Sequence, residues 1–182
     1  YFMIGQPTET AEDVEGIIHL AKTVRHRILQ KRRDPKSLAE LTAGVSCFVP
    51  KPWTAFQWCA MAEGRNLDGT IQQLKRELRR VGIRFTHDVP KWAYLQGVLS
   101  RGDRHVGDLL SLALQQRGDW RRAFREWPRN PDFYACRERP LTERFPWDQF
   151  EVGTKRERLE VEYQRAMGLL PERVVQWKAS LS

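Results

Sequence analysis

The stretch Val45–Trp58, VSCFVPKPWTAFQW, holds the residues best suited to chemistry. An apolar run leads into Pro50 and Pro52, Lys51 stands between them, and Phe48, Trp53, Phe56 and Trp58 line the same stretch. Proline fixes φ and removes an amide donor, so neither strand nor helix continues through this point. The expected product is a stiff, aromatic-lined loop at the end of a buried strand, the place where α/β proteins hold ligands. Such a loop would equally plug the end of a barrel or sheet.

Other reactive residues are scattered. Cys47, Cys59 and Cys136 are odd in number and contain no C-x-x-C pair, so spacing gives neither a disulfide framework nor a metal site. They fit a reducing, cytoplasmic setting. His19, His26, His87 and His105 are equally dispersed and read as surface or capping residues. Net charge is +8, from 31 basic and 23 acidic residues, a balance that favours polyanions such as nucleic acid. With 182 residues, 41% of them hydrophobic, the chain suits one folded domain or a domain with an appendage. No apolar run approaches the ~20 residues of a membrane span, and nothing at Tyr1–Gln30 leads us to expect a secretion signal there. The start at Tyr1, directly inside an apolar run, leads us to expect a fragment of something longer.

The elements that would position the loop follow in order. Tyr1–Gly5 reads as a parallel strand buried on both faces. Thr10 and Asp13 form a T-x-x-D capping box, and Val14, Ile17, Ile18, Ala21, Val24 and Ile28 predict a helix from about Ala11 to Gln30. Residues 31–40 make a surface connection to a second strand at about Thr42–Val49, completing a βαβ unit. Parallel pairing would put the loops after both strands on one rim. Leu67, Ile71, Leu74, Leu78 and Val81 mark the next helix, stopped by Gly82, and Ile83–His87 is a short third strand. Beyond Pro90 the pattern is helical: Trp92, Leu95, Val98 and Leu99, then Val106, Leu109, Leu110, Ala113 and Leu114. Trp120, Phe124 and Trp127 space as a short helix, and a turn at Asn130–Tyr134 starts another. Phe145–Asp148 is an aromatic turn, and Thr154–Met167 is a charged helix with Leu159, Tyr163 and Ala166 on its apolar side. Residues 171–178 add a final turn.

The two rim loops together resemble the radical S-adenosylmethionine enzymes. Residues 1–17 are similar to their fifth strand, loop and helix, with I-G-x-P-x-E-T at Ile4–Thr10. Val45–Trp58 resembles their sixth strand and its loop. The nearer likeness is to a branch of uncharacterised iron–sulfur oxidoreductases with a cobalamin-binding-like N-terminal region. Its F-V-P-K-P-x-T-x-F-Q-W signature stands at Phe48–Trp58, its S-R-G-D-R segment at Ser100–Arg104, and its P-W-D turn at Pro146–Asp148.

The resemblance implies an α/β fold: a partial (βα) barrel fragment over residues 1–88, then a helix-rich carboxyl-terminal extension over 89–182. It implies S-adenosylmethionine and a [4Fe–4S] cluster as cofactors of the full-length protein, with cobalamin as a further candidate. The family holds its cluster on three cysteines spaced C-x-x-x-C-x-x-C, and this chain has no such triplet. The ligands would therefore belong to the missing N-terminal barrel half, and the piece alone should not cleave S-adenosylmethionine. By the same resemblance Ile4 and Gly5 lie near the adenine, with Phe48, Val49 and Pro50 offering it backbone and apolar contacts. Glu9 is either a loop carboxylate or a site residue, whereas a helix cap already explains Thr10. Lys51, Trp53 and Gln57 would face substrate or a neighbouring domain, although Trp53 and Trp58 also suit packing on the helix that follows. Arg101, Asp103 and Arg104 read as a compact, locally salt-bridged turn, with substrate contact as the alternative, and Trp147–Asp148 as an anchor for the tail.

Two other readings compete. Basic clusters at Arg25–Lys36, Lys75–Arg84 and Arg117–Arg129, the last interleaved with Trp120, Phe124 and Trp127, suit an RNA-binding module whose aromatics stack on bases. Acidic residues mixed through the clusters weaken that reading. The helix-rich last third also suits a structural tail that docks a barrel to a partner.

Overall fold

The computed structural model describes residues 1–31 and 40–169. Three parallel strands, β1 (Phe2–Ile4), β2 (Thr42–Cys47) and β3 (Arg84–His87), lie in the order β1-β2-β3. Helices α1 (Ala11–Gln30) and α2 (Gly64–Arg80) connect them. Residues 32–39, within the expected 31–40 connection, and the turn expected at 171–178 lie outside the described residues.

Local sequence explains where these elements start and stop. The Thr10 hydroxyl accepts from the Asp13 amide while the Asp13 carboxylate accepts from the Thr10 amide, a complete capping box on α1. At the end of α2, Gly82 takes φ +69°, its amide donates to Arg79 O, and the Ile83 amide donates to Leu78 O. This is a Schellman closure, which needs a left-handed residue at that position. The second strand ends two residues earlier than the sequence suggests: the Cys47 N–H turns to the Asp88 carboxylate, donating to Oδ2 at 3.3 Å, and Pro50 follows two residues after Phe48.

The register pairs Phe2 with Val45 and Ile4 with Cys47, then Ala43 with Phe85, so these side chains share one face. Helices α1 and α2 cover that face, and Ile4, Val14, Ile18, Ala43, Val45, Leu67, Ile71, Leu74 and Leu78 form the first core. The opposite face, with Met3, Thr42, Arg84 and Thr86, carries no helix among the described residues, and Met3 is 46% exposed. The expectation that β1 is buried on both faces therefore fails. Among the described residues its side chains are covered by helices on one side only.

Five further helices complete the chain's described part: α3 (Pro90–Arg101), α4 (Val106–Gln115), α5 (Trp120–Glu126), α6 (Asp132–Ala135) and α7 (Arg156–Ala166). Val98, Leu109, Ala113, Ala123, Trp127 and Tyr134 build a second core. Trp58, Cys59, Phe145, Trp147, Leu159 and Tyr163 build a third. Ala93 of α3 joins the first core, and Trp58 joins the third. Several helix faces are rotated from the apolar pattern. Trp92 and Leu99 of α3 and Leu110 and Leu114 of α4 are exposed, while Ala93, Gly97 and Arg101 turn inward. At Gly97 an added Cβ would lie 3.1 Å from Met61 Sδ, so close helix packing selects the small residues there. Likewise Ala166 of α7 is exposed and Met167 packs in its place.

Candidate functional site

The loops after β1 and β2 do leave the same rim of the parallel sheet. At the first, Gly5 takes φ +79°, and its amide donates to Glu9 Oε2 at 2.9 Å. A Cβ on Gly5 would sit 2.6 Å from Leu67 Cδ2 and 3.3 Å from Ala62 Cβ, so both conformation and space demand glycine. Glu9 is thus a loop-closing carboxylate. Ile4 is fully buried in the first core.

The second loop is rigid throughout. Phe48 donates its amide to Ile4 O at 2.8 Å, one step beyond the ladder, and its ring meets Phe56 edge-on at 5.6 Å. Val49 packs against the first core and Pro50 is fully buried. Lys51 is half-buried, and that burial pulls its pKa below the ordinary lysine value. Trp53 adopts φ +61°, which a bulky residue holds only where its surroundings over-determine it. The determinant is Gln57, only 2% exposed, whose Oε1 accepts both the Trp53 amide (3.2 Å) and the Trp147 indole N–H (2.9 Å). Gln57 thereby ties the rim loop to the aromatic turn at Phe145–Asp148, itself closed by the Phe145 amide on Asp148 Oδ2 at 2.8 Å.

Sequence reasoning missed the arginines that fasten the rim to the tail. Arg101 is not part of a local salt-bridged turn: it ends α3 with no exposed area, and its guanidinium donates to the carbonyls of Cys59 (2.7 Å), Ala135 (3.2 Å) and Arg137 (3.4 Å). Burial, and then the neighbouring Arg139, pull its pKa down, yet a guanidinium stays charged. Arg139, also buried, donates to Arg101 O and Tyr134 O, and lies over the rings of Phe145 and Trp147. Backbone bonds run alongside, from Met61 N to Ala135 O and from Arg139 N to Trp58 O. Arg156 pairs with Asp148 at 2.7 Å and Glu160 at 2.9 Å, and faces Trp58 and Phe145. Only Arg101 left a trace in the sequence, by falling three residues after Val98 on the buried side of α3. Asp103 turns instead to the His105 amide (2.9 Å) and the Tyr134 hydroxyl.

Two hollows flank the rim. A cavity of about 310 Å³ lies between Gly5, Pro7, Met61, Ala62, Glu138 and Tyr163, where the Tyr163 hydroxyl donates to Glu138 Oε1 at 3.2 Å. An open cleft of about 1010 Å³ runs from Trp53 to Phe145, Lys155 and Arg156. Of the residues expected at the site, Gly5 opens onto the first and Trp53 onto the second; Ile4, Pro50 and Gln57 are enclosed. The smaller hollow, apolar with one carboxylate, suits a flat ligand carrying a hydrogen-bond donor.

Burial pushes the thiols of Cys47, Cys59 and Cys136 up to about 11. Among the described residues no three His, Cys, Asp or Glu side chains converge as a metal site. Nor is any described helix long and apolar enough to cross a membrane.

No family model matches the chain. It is similar to an uncharacterised protein of the archaeon Methanocaldococcus jannaschii, 31% identical over 115 residues. That alignment covers 62% of this chain and 23% of the relative, so the chain spans under a quarter of the relative's length. No solved structure matches.

Proposed function

We propose that this chain is the carboxyl-terminal part of a radical S-adenosylmethionine iron–sulfur oxidoreductase, supplying distal strands of a (βα) barrel and a helical extension. The observation that carries the reading is the half-covered parallel sheet. Parallel sheets are normally covered on both faces, whereas here α1 and α2 lie together on one face and Met3, Thr42, Arg84 and Thr86 stand open on the other. Consecutive strand order with both helices on one side is the winding of a closed barrel, whose interior would be the open face.

On this reading the cluster is held elsewhere in the protein. Cys47, Cys59 and Cys136 do not have the C-x-x-x-C-x-x-C spacing that the family's cluster takes. When bound, the cluster and S-adenosylmethionine supply the radical chemistry. This chain's share is to shape the rim: Gly5 admits the adenosine end beside Met61 and Ala62, with Phe48 and Val49 stiffening the neighbouring strand end. Lys51 and Trp53 line the substrate side, with the Trp53 backbone fixed by Gln57. A cobalamin in the full-length protein belongs to the same proposal.

The test is anaerobic reconstitution of the full-length protein with iron and sulfide, followed by assay for 5′-deoxyadenosine and methionine. Formation of both, lost on Gly5→Val in a protein that still carries its cluster, is the expected result. A full-length protein that takes up neither cluster nor S-adenosylmethionine would overturn the reading.

A further inference from the structure

The basic clusters differ in how far they are neutralised. On α2, Arg76 and Arg80 reach Glu77 at 3.3 and 3.0 Å, and Lys22 of α1 reaches it at 3.6 Å. On α7, Arg156 and Arg158 pair with Glu160 and Glu162. The corner between α4 and α5 is different. Arg117, Arg121, Arg125 and Arg129 recur every fourth residue and all are exposed. Arg121 and Arg125 are one turn apart on α5, with Arg117 just before it at φ +52° and Arg129 just beyond its end. Among the described residues Arg117, Arg121 and Arg125 form no ion pair; only Arg122 is taken, by Glu126 at 2.8 Å.

We propose that this corner binds the phosphodiester backbone of single-stranded RNA without reading its bases. Arginine's planar fork matches phosphate, and exposed guanidiniums that form no ion pair among the described residues are matched by successive phosphates. The aromatic residues beside the row are spent inward. Trp120 lies against Phe124 at 6.5 Å, Phe124 against Tyr94 at 5.8 Å, and buried Trp127 stacks on Tyr134 at 5.5 Å. These rings are engaged with one another and with the second core, so what the corner offers outward is its guanidiniums, to sugar and phosphate. The seven residues of α5 span roughly 10 Å and lie flat on the second core. Such a ridge follows one strand and has nothing to insert into a duplex groove. Unpaired phosphodiester in a cell is chiefly RNA, which selects it over DNA. This inference stands independently of the barrel reading.

Fluorescence anisotropy of the full-length protein with a labelled 20-nucleotide oligouridine tests it. Three phosphates neutralised predict a slope of log K against log salt of about −2. Arg121→Gln/Arg125→Gln should weaken binding roughly tenfold at low salt and flatten the slope by about 1.4. Arg79→Gln/Arg80→Gln, on α2, should leave both unchanged, with circular dichroism confirming that each variant folds. Four outcomes overturn the proposal: no binding at 50 mM salt, equal loss in both variants, tighter binding to duplex RNA or to oligothymidine, or displacement of RNA by anionic vesicles or polyglutamate at equal charge.

Discussion

Arg101 carries a charge into a fully buried position and spends it on three carbonyls, those of Cys59, Ala135 and Arg137. Replacing it with methionine keeps the side chain's length but leaves those carbonyls without donors, and a buried acceptor so orphaned costs about 1–3 kcal/mol. Arg101→Met should therefore lower unfolding free energy by about 3 kcal/mol or more in urea titration; a loss under 1 kcal/mol would show that the carbonyls find other partners. The buried thiols make a second residue-scale prediction. Their folded pKa values of about 11 exceed the ordinary thiol value of 9.0, so the native state keeps protons that the unfolded chain gives up. The stability they contribute is full below pH 9 and declines as pH rises from 9 through 11. Thermal melts between pH 8 and 11 should show that decline, and a triple Cys→Ala protein should lose it. An unchanged pH slope in the triple variant would remove the thiols as its source.

At the scale of elements, the helix ends behave as their sequences direct. Thr10→Ala removes the hydroxyl half of the α1 capping box and should cost about 1 kcal/mol. Gly82→Ala forces a Cβ into the left-handed region at the end of α2, at a cost of about 1–2 kcal/mol. The two sites belong to different helices, so the double variant should be additive within about 0.5 kcal/mol; a larger discrepancy would reveal coupling through the packing of α1 on α2. The faces of α3 and α4 were less legible. Trp92, Leu99, Leu110 and Leu114 obey helical spacing as well as Val98 and Leu109 do, yet they end up in water. Periodicity identifies an apolar stripe, but Gly97 and Ala93 decide how closely and at what rotation α3 can approach its neighbours.

For the whole molecule, the open sheet face makes the sharpest distinction. Met3 stands there half-exposed, so Met3→Glu in the isolated chain should change stability by no more than about 0.5 kcal/mol. If the face is a barrel interior, the same change in the full-length protein buries a carboxylate without a partner and should cost several kcal/mol. Parallel denaturation of both proteins checks this, and equal effects would mean that nothing covers the face. The rim tells a related story, since the tail meets it through Gln57, Arg101 and Arg139 as well as through the third core.

What the sequence determined by itself is the βαβ order, the span of α1 from its capping box, the Gly82 stop and the rigid loop after β2. Each rests on interactions within a few residues, where proline, glycine and capping chemistry act directly. Only the tertiary structure decided that Gln57 is enclosed, that Arg101 and Arg139 are interior, that one sheet face carries no helix among the described residues, and that Trp127 faces a core. Those outcomes depend on which distant surfaces meet: Gln57 on an indole 90 residues away, Arg101 on carbonyls 34 to 42 residues away. A charged or polar residue looks solvent-bound in sequence, and only the carbonyls brought around it by packing can supply the partners that let it be buried.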